Sequence, residues 1–230
     1  MTYGTNFMSK IFFFGCSYTY GHGLPDCRNL STPSKLGWAT RLADQAGKEY
    51  VNLSDPGGSN RQAVHLAQNC DIQSGDIAIF HWTFINRYFY LDWHSKFQGV
   101  QTTKIGNWML KNKSKRPKMH YFNWSEVHMM HDTEILIDYI NNKFEKKGIR
   151  CINFEPMIYK DKATDWELDY WTKNIDCTTI FDNCNLLHWQ KFVSAKKGYT
   201  DLADDGDHPG LTSNIRFANY ILEEYPWLKE

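Results

Sequence analysis

The 230-residue chain carries 26 Lys+Arg against 26 Asp+Glu and is 42% hydrophobic. That is too apolar for disorder, and a chain of this length can bury a sizeable core. The balanced charge gives no electrostatic reason to expect a nucleic-acid or anionic-membrane partner. Near the start the longest apolar run is Ile11–Phe14. It falls short of the roughly 7–15 residues of a secretory h-region and the roughly 20 of a membrane span. Six cysteines (Cys16, Cys27, Cys70, Cys151, Cys177, Cys184) lie scattered with no Cys-x-x-Cys pair. Reduced thiols in a cytoplasm fit this pattern better than a disulfide framework.

Lys10–Gly15 reads as a buried strand running into a turn, with the first seven residues as an extension. Gly21, Gly23, Pro25 and Pro33 mark a loop. Trp38, Leu42 and Ala46 sit at helical spacing, and Gly47 stops that helix. Tyr50–Leu53 is a second strand, followed by the turn Asp55-Pro56-Gly57-Gly58. Ser59 or Asn60 can cap a helix through Asn69 with Ala63, Leu66 and Ala67 inside. Asp76–Trp82 is a third, strongly apolar strand. Thr133–Lys147 has helical periodicity through Ile135, Leu136, Tyr139, Ile140 and Phe144, and Ile149–Pro156 is a fourth strand. Thr178–Phe181 suits a short fifth strand. A last helix follows Pro209-Gly210 and faces Ile215, Ala218, Ile221 and Leu222 inward.

Strands alternating with helices at this pace predict a three-layer α/β/α sandwich around a mostly parallel sheet. The expectation is one domain over residues 8–230, with 83–130 as a polar, aromatic insertion after the third strand.

In such sheets ligands bind where strands end and helices begin. Gly15-Cys16-Ser17, Gly57-Gly58-Ser59-Asn60 and Trp82-Thr83 fall at such ends, and Asp205-Gly206-Asp207-His208 precedes the last helix. A serine nucleophile needs a base within hydrogen-bond reach, a carboxylate to orient that base, and N–H donors for the oxyanion. These segments hold all of those residue types.

The run Ile-Phe-Phe-Phe-Gly-Cys-Ser-Tyr-Thr-Tyr-Gly (11–21) resembles the first block of the SGNH/GDSL hydrolases, of a viral or bacterial type. Asn52-Leu-Ser-Asp-Pro-Gly-Gly-Ser-Asn60 resembles the second block, and Asp205-x-x-His208-Pro209 the last. The resemblance implies Ser17 as nucleophile, His208 as general base and Asp205 as the group that orients it. It places the N–H groups of Ser17 and Gly57 in the oxyanion hole. The implied reaction is hydrolysis of a small-molecule or glycan ester through an acyl-enzyme, often deacetylation of a carbohydrate, with no metal or organic cofactor. The third block departs from the family, which has Gly-x-Asn-Asp after the third strand. Here the strand runs into His81-Trp-Thr-Phe-Ile-Asn-Arg87, with Phe84 at the Asn position. Asn86 would serve after a two-residue shift, and the Thr83 hydroxyl or the Asn60 amide offers a substitute donor.

Other readings stand beside this one. Cys16 is a rival nucleophile, although adjacent residues leaving a strand point in opposite directions and a small buried side chain is the plainer reading. Asp204 and Asp207 flank Asp205, and the choice among them rests on the family spacing. His128 and His131 lack a third metal ligand at a telling distance. Gly21-His-Gly23 is a turn rather than a phosphate loop. Lys111–Lys118, with Trp108 and Trp124, reads as a solvated loop before a nucleic-acid surface. The aromatic clusters Tyr88, Phe89, Tyr90, Trp93 and Trp166, Tyr170, Trp171 suit core or lid packing, or stacking on sugar rings. A non-catalytic module that binds a glycan or protein through the insertion is the alternative from another functional class. A virion-associated location would follow from a phage source.

Overall fold

The structure, a computed structural model, describes residues 9–85, 87–94, 99–105, 126–154 and 201–230. In chain order the elements are β1 (Ile11–Phe14), α1 (Ser17–Tyr20), α2 (Trp38–Ala46), β2 (Tyr50–Asn52), α3 (Asn60–Asn69) and β3 (Ile77–His81). They continue as β4 (Tyr88–His94), β5 (Gly99–Ile105), α4 (Glu126–Glu145), β6 (Arg150–Phe154), α5 (Leu211–Glu224) and a 3-10 turn at Pro226–Lys229. Four strands form a parallel sheet in the order β2-β1-β3-β6. Its register sets Phe13 beside Asn52 on one side and Ile79 on the other, with Ile79 beside Ile152.

Side chains alternate across a strand, and this sequence fills both faces. Ile11, Phe13, Ile77, Ile79, Ile152 and Phe154 face α2 and α5, where they meet Trp38, Leu42, Phe217, Ala218 and Ile221. Phe12, Phe14, Ala78 and Phe80 face α3 and α4, against Ala63, Val64, Ala67, Ile137, Ile140 and Phe144. That explains why β1 and β3 are uninterrupted apolar runs. Each fully buried Phe, Ile or Leu contributes about 1.5–3 kcal/mol of transfer free energy. Trp38 is the hub of the first face, edge-on to Phe13 at 5.4 Å, to Phe154 at 5.6 Å and to Phe217 at 5.0 Å.

The expected three-layer α/β/α architecture is the observed one, with differences in detail. The α4 helix begins at Glu126, inside the stretch expected as insertion. Its inward stripe is Thr133, Ile137, Ile140 and Phe144, whereas Ile135 and Tyr139 are 64% and 46% exposed. Two apolar stripes overlap on this helix, and only the one carrying Ile137 meets the sheet. On α5 the inner face centres on Phe217, and Ile215 is half-buried rather than inside. Within the insertion, β4 and β5 pair as an antiparallel ribbon. The expected strand at Thr178–Phe181, the Lys111–Lys118 stretch, Trp108, Trp124, Trp166, Tyr170 and Trp171 lie outside the described residues, as does the His128 side chain. Among the described residues no helix is long and apolar enough to cross a membrane.

At the end of β3, His81 is buried among Trp38, Phe154 and Phe217. Its Nδ1 lies 3.0 Å from Thr19 Oγ1, which ties α1 to β3. Burial, with help from the Arg87 charge, pushes its pKa down to about 3. A histidine depressed in this way takes up a proton in the unfolded chain first. Its contribution is therefore complete above the unfolded value near 6.5 and is lost as pH falls from there toward 3. Urea unfolding should show this one group removing about 2 kcal/mol of stability between pH 7 and pH 5. The pH slope should be shallower in His81→Gln, and an unchanged slope would show that His81 is not the group responsible.

Candidate active site

The β1 strand runs through Gly15 and Cys16 into α1, whose first residue is Ser17. Cys16 precedes the helix as its N-cap with extended backbone angles, and its carbonyl accepts from Thr19 and Tyr20 at 3.1 and 2.9 Å. Its side chain is fully buried in the core on the α2 and α5 side, which removes it from the cleft as a rival nucleophile. Ser17, one residue on, turns its hydroxyl the other way. As the first residue of a helix its N–H has no intrahelical partner.

The loop after β2 is stitched to the loop after β1. Asn52 donates from Nδ2 to the Thr19 carbonyl at 3.1 Å and accepts from the Ser54 N–H at 3.1 Å. The Asp55 N–H donates to the Gly15 carbonyl, also at 3.1 Å. The chain then turns through Gly57, whose φ of 74° favours glycine, and enters α3 with Ser59 accepting from the Gln62 N–H as the cap.

The last segment arrives from the far end of the chain. Asp201 accepts from the N–H groups of Thr212 and Ser213, each at 2.8 Å, and so caps α5. Burial alone would raise its pKa, but these donors hold it below the ordinary aspartate value. Asn214, buried on α5, accepts from the Trp38 backbone N–H at 2.9 Å. It donates to the carbonyls of Pro209 and Gly210 at 3.0 and 2.8 Å. This side chain locks the 208–210 segment to the start of α2. Sequence reasoning passed over it, because a single Asn inside a helix carries no local signal.

In that setting His208 Nε2 lies 2.9 Å from Ser17 Oγ, and His208 Nδ1 lies 2.7 Å from Asp205 Oδ2. A carboxylate can only accept, so Nδ1 carries the proton. In the neutral ring the lone pair is then on Nε2, where it accepts from the Ser17 hydroxyl. The other Asp205 oxygen accepts from the N–H groups of Asp207 and His208, each at 3.0 Å. Partial burial by itself would raise the Asp205 pKa, and these two N–H donors with the imidazole outweigh it and lower it. Asp204 is spent elsewhere, paired with Arg28 at 2.9 Å. The Asp204 N–H also donates to the Gly23 carbonyl at 3.1 Å, docking this loop on the one after α1. A Cβ at Gly23 would stand 2.5 Å from Asp205 Oδ2, so the carboxylate occupies the space that a larger residue would fill.

The replacement donors are placed unequally. Asn60 is not a free donor: its Nδ2 gives to the Thr83 carbonyl and the Thr133 hydroxyl, each at 3.2 Å, and its Oδ1 accepts from the Thr83 N–H at 2.7 Å. Its work is to fix the end of β3. Thr83 is buried there, and its hydroxyl accepts from Arg87 Nη1 at 2.9 Å, which leaves the hydroxyl hydrogen to give. Asn86 lies outside the described residues. Phe84, at the family's Asn position, packs edge-on against Tyr18 with ring centroids 6.3 Å apart.

His22 lies in the turn that the sequence places at Gly21–Gly23. Its ring lies 4.6 Å from that of His208. Burial, then the neighbouring His208, lowers its pKa against the pull of Asp205 and Asp207. An open groove of about 500 Å³ runs alongside, lined by His22, Gly23, Arg28, Asp204 and Asp205. Among the described residues, His22, Asp205 and His208 form the one group of three that brings its donor atoms within 4.8 Å of one another, a spacing suited to a metal ion.

No protein-family model matches the sequence, and no curated protein does either. Solved structures do match. The esterase EstA from Pseudoalteromonas sp., in a structure inhibited by monoethylphosphonate, is 15% identical, with 96% of this chain and 100% of that chain covered at a TM-score of 0.50. The lipase Lip_vut3 from a goat rumen metagenome is 11% identical, with 95% and 98% covered at 0.53. A GDSL-like lipase from Parabacteroides merdae is 16% identical, with 94% of each chain covered at 0.51. The chain has the α/β/α fold of the GDSL-type hydrolases, as the sequence resemblance implied.

The close approach of Gly23 to Asp205 gives a direct check on this geometry. Gly23→Ala should push the carboxylate off the imidazole and abolish the low-field proton resonance of the His208 Nδ1–H, as Asp205→Asn should. The far-ultraviolet circular dichroism should stay that of the wild type. A retained resonance in Gly23→Ala would mean that Asp205 is held from elsewhere.

Proposed function

We propose that this chain, built on the GDSL-type fold, is a serine esterase that hydrolyses carboxylic esters through an acyl-enzyme on Ser17. The observation that carries the reading is the continuous chain from Ser17 Oγ through both nitrogens of His208 to Asp205. In the first step Ser17 Oγ attacks the ester carbonyl while His208 Nε2 takes its proton. The ester C–O bond then breaks, and His208 returns that proton to the departing alcohol. Water attacks the acyl-enzyme in turn, gives a proton to His208, and releases the acid as Ser17 recovers its hydrogen. Asp205 keeps Nδ1 protonated and stabilises the imidazolium that forms twice per turnover. The carbonyl oxygen becomes an anion in both tetrahedral intermediates, and the N–H groups of Ser17 and Gly57 are its donors in this reading. The Thr83 hydroxyl, polarised by Arg87, is the third donor in place of the family's Asn.

An acetylated carbohydrate is the substrate class that the sequence resemblance implies and the first to screen. The cleft beside His208 is open and lined by His22, Gly23, Arg28, Asp204 and Asp205, whose charged and imidazole groups can hydrogen-bond a hydrophilic alcohol.

The test is intact mass after reaction with a fluorophosphonate, followed by turnover of acetyl esters. Wild type should gain a single adduct, which should be absent in Ser17→Ala. Cys16→Ala should label like wild type. His208→Ala should slow labelling and turnover by orders of magnitude, and Thr83→Val should lower kcat by about 10²-fold. An unlabelled, folded wild type would overturn the esterase and favour a binding module on the same fold.

A further inference from the structure

We propose that His22, Asp205 and His208 also bind one divalent transition-metal ion of the Zn²⁺ type, and that its binding silences the Ser17–His208 couple. The inference deepens the esterase reading by giving its site an inhibitory ligand, and it rests on that reading for its consequence. The donors are two imidazoles and a carboxylate, the set that suits zinc and its neighbours rather than magnesium or calcium. Their atoms lie within 4.8 Å of one another. A tetrahedral zinc site needs about 3.3 Å between donors, given bonds of about 2.0–2.2 Å. Asp205 Oδ2 and His208 Nδ1 stand 2.7 Å apart across a hydrogen bond, so this pair must part by about 0.6 Å as the ion replaces the shared proton, and the half-buried His22 side chain closes the remaining distance. Asp205 is ready for the task, because its Oδ1 is fixed by two backbone N–H groups while Oδ2 faces the rings. The groove along His22, Gly23, Arg28 and Asp204 is open to solvent, which gives an ion its entry and a water its place as fourth ligand, and the Arg28 charge there is offset by its pair with Asp204.

The consequence follows from counting lone pairs. A neutral imidazole has one. In the esterase arrangement it sits on Nε2 and accepts from Ser17. A metal on Nε2 takes that pair directly. A metal on Nδ1 displaces the proton to Nε2, which then becomes a donor and can no longer accept. Either way the ring cannot act as base while the ion is bound. Metal and substrate chemistry therefore exclude each other at His208, whichever nitrogen ligates.

Calorimetric titration of the full chain with ZnCl₂, on wild type, His22→Gln and His22→Asn, tests the site without reference to activity. The expected result is one Zn²⁺ per wild-type chain, with affinity at least tenfold weaker in both variants. Fluorophosphonate labelling of Ser17 should slow as wild type fills with Zn²⁺ and recover when a chelator removes it. MgCl₂ should have no effect. In the His22 variants, slowing should need correspondingly more Zn²⁺. Unchanged affinity in both folded variants would overturn the site, and wild type that saturates with Zn²⁺ yet labels at full rate would overturn the inhibition. Failure to label metal-free wild type would sink the esterase reading alone, and the calorimetry would still decide the metal site.

Discussion

The hydrogen bond between Ser17 and His208 joins residues 191 positions apart in sequence, and it is not strong enough to bring them together. A net gain of about 0.5–1.5 kcal/mol for a neutral hydrogen bond is small beside the entropy of closing such a loop. The sheet does the closing. Because β1, β2, β3 and β6 run parallel, the segments that follow β1, β2 and β3 emerge at one edge. The α5 helix, packed on the same face as α2, delivers the segment before it to that edge as well. Trp38 is where these parts meet: its ring contacts Phe13 of β1, Phe154 of β6 and Phe217 of α5, and its backbone N–H donates to Asn214. The apolar core fixes the distance between the two helices, and the polar chain at the surface needs only to complete a geometry already set.

Buried and half-buried polar groups at the ends of the strands add the local precision. Asn52 and Asn60 do parallel work, each using its amide to hold a neighbouring loop by main-chain atoms. Asn214 does the same for the segment that carries His208. Such side chains satisfy donors and acceptors that would be costly to leave unpaired in the interior. They tie the loops around Ser17 to the ends of the strands by main-chain hydrogen bonds.

Much of the fold was legible in the sequence because its signals are local. The apolar runs at 11–14 and 77–81, the stop at Gly47 and the Ser59 cap each declare themselves within a few residues. The inner face of α4 was misread for a physical reason: Ile135, Leu136, Tyr139 and Ile140 satisfy helical spacing as well as Ile137, Ile140 and Phe144 do. Only the position of the sheet chooses between them. Gly23, His22 and Asn214 were missed on the same ground. Each matters through a residue distant in sequence, and nothing in the surrounding residues records that partner. Asn60 was the converse case, a plausible donor in the right segment whose amide turned out to be committed to Thr83 and Thr133.

The selection of Asp205 over Asp204 and Asp207 shows what an Asp-x-x-His spacing means physically. The chain reverses through Gly206, whose N–H donates to the Ala203 carbonyl at 2.9 Å. That reversal swings the N–H groups of residues 207 and 208 back onto the side chain at 205, the local bond that aspartate forms readily in turns. One carboxylate oxygen is thereby immobilised by the backbone before any imidazole is considered. The same turn carries the ring of residue 208 over the second oxygen, at 2.7 Å. A shorter spacing would bring no second N–H onto the carboxylate, and a longer one would move the ring off the turn. Asp204 faces outward to Arg28, and Asp207 supplies its N–H rather than its carboxylate. The motif is a folded unit that orients its own imidazole, and the sheet edge has only to present Ser17 to it.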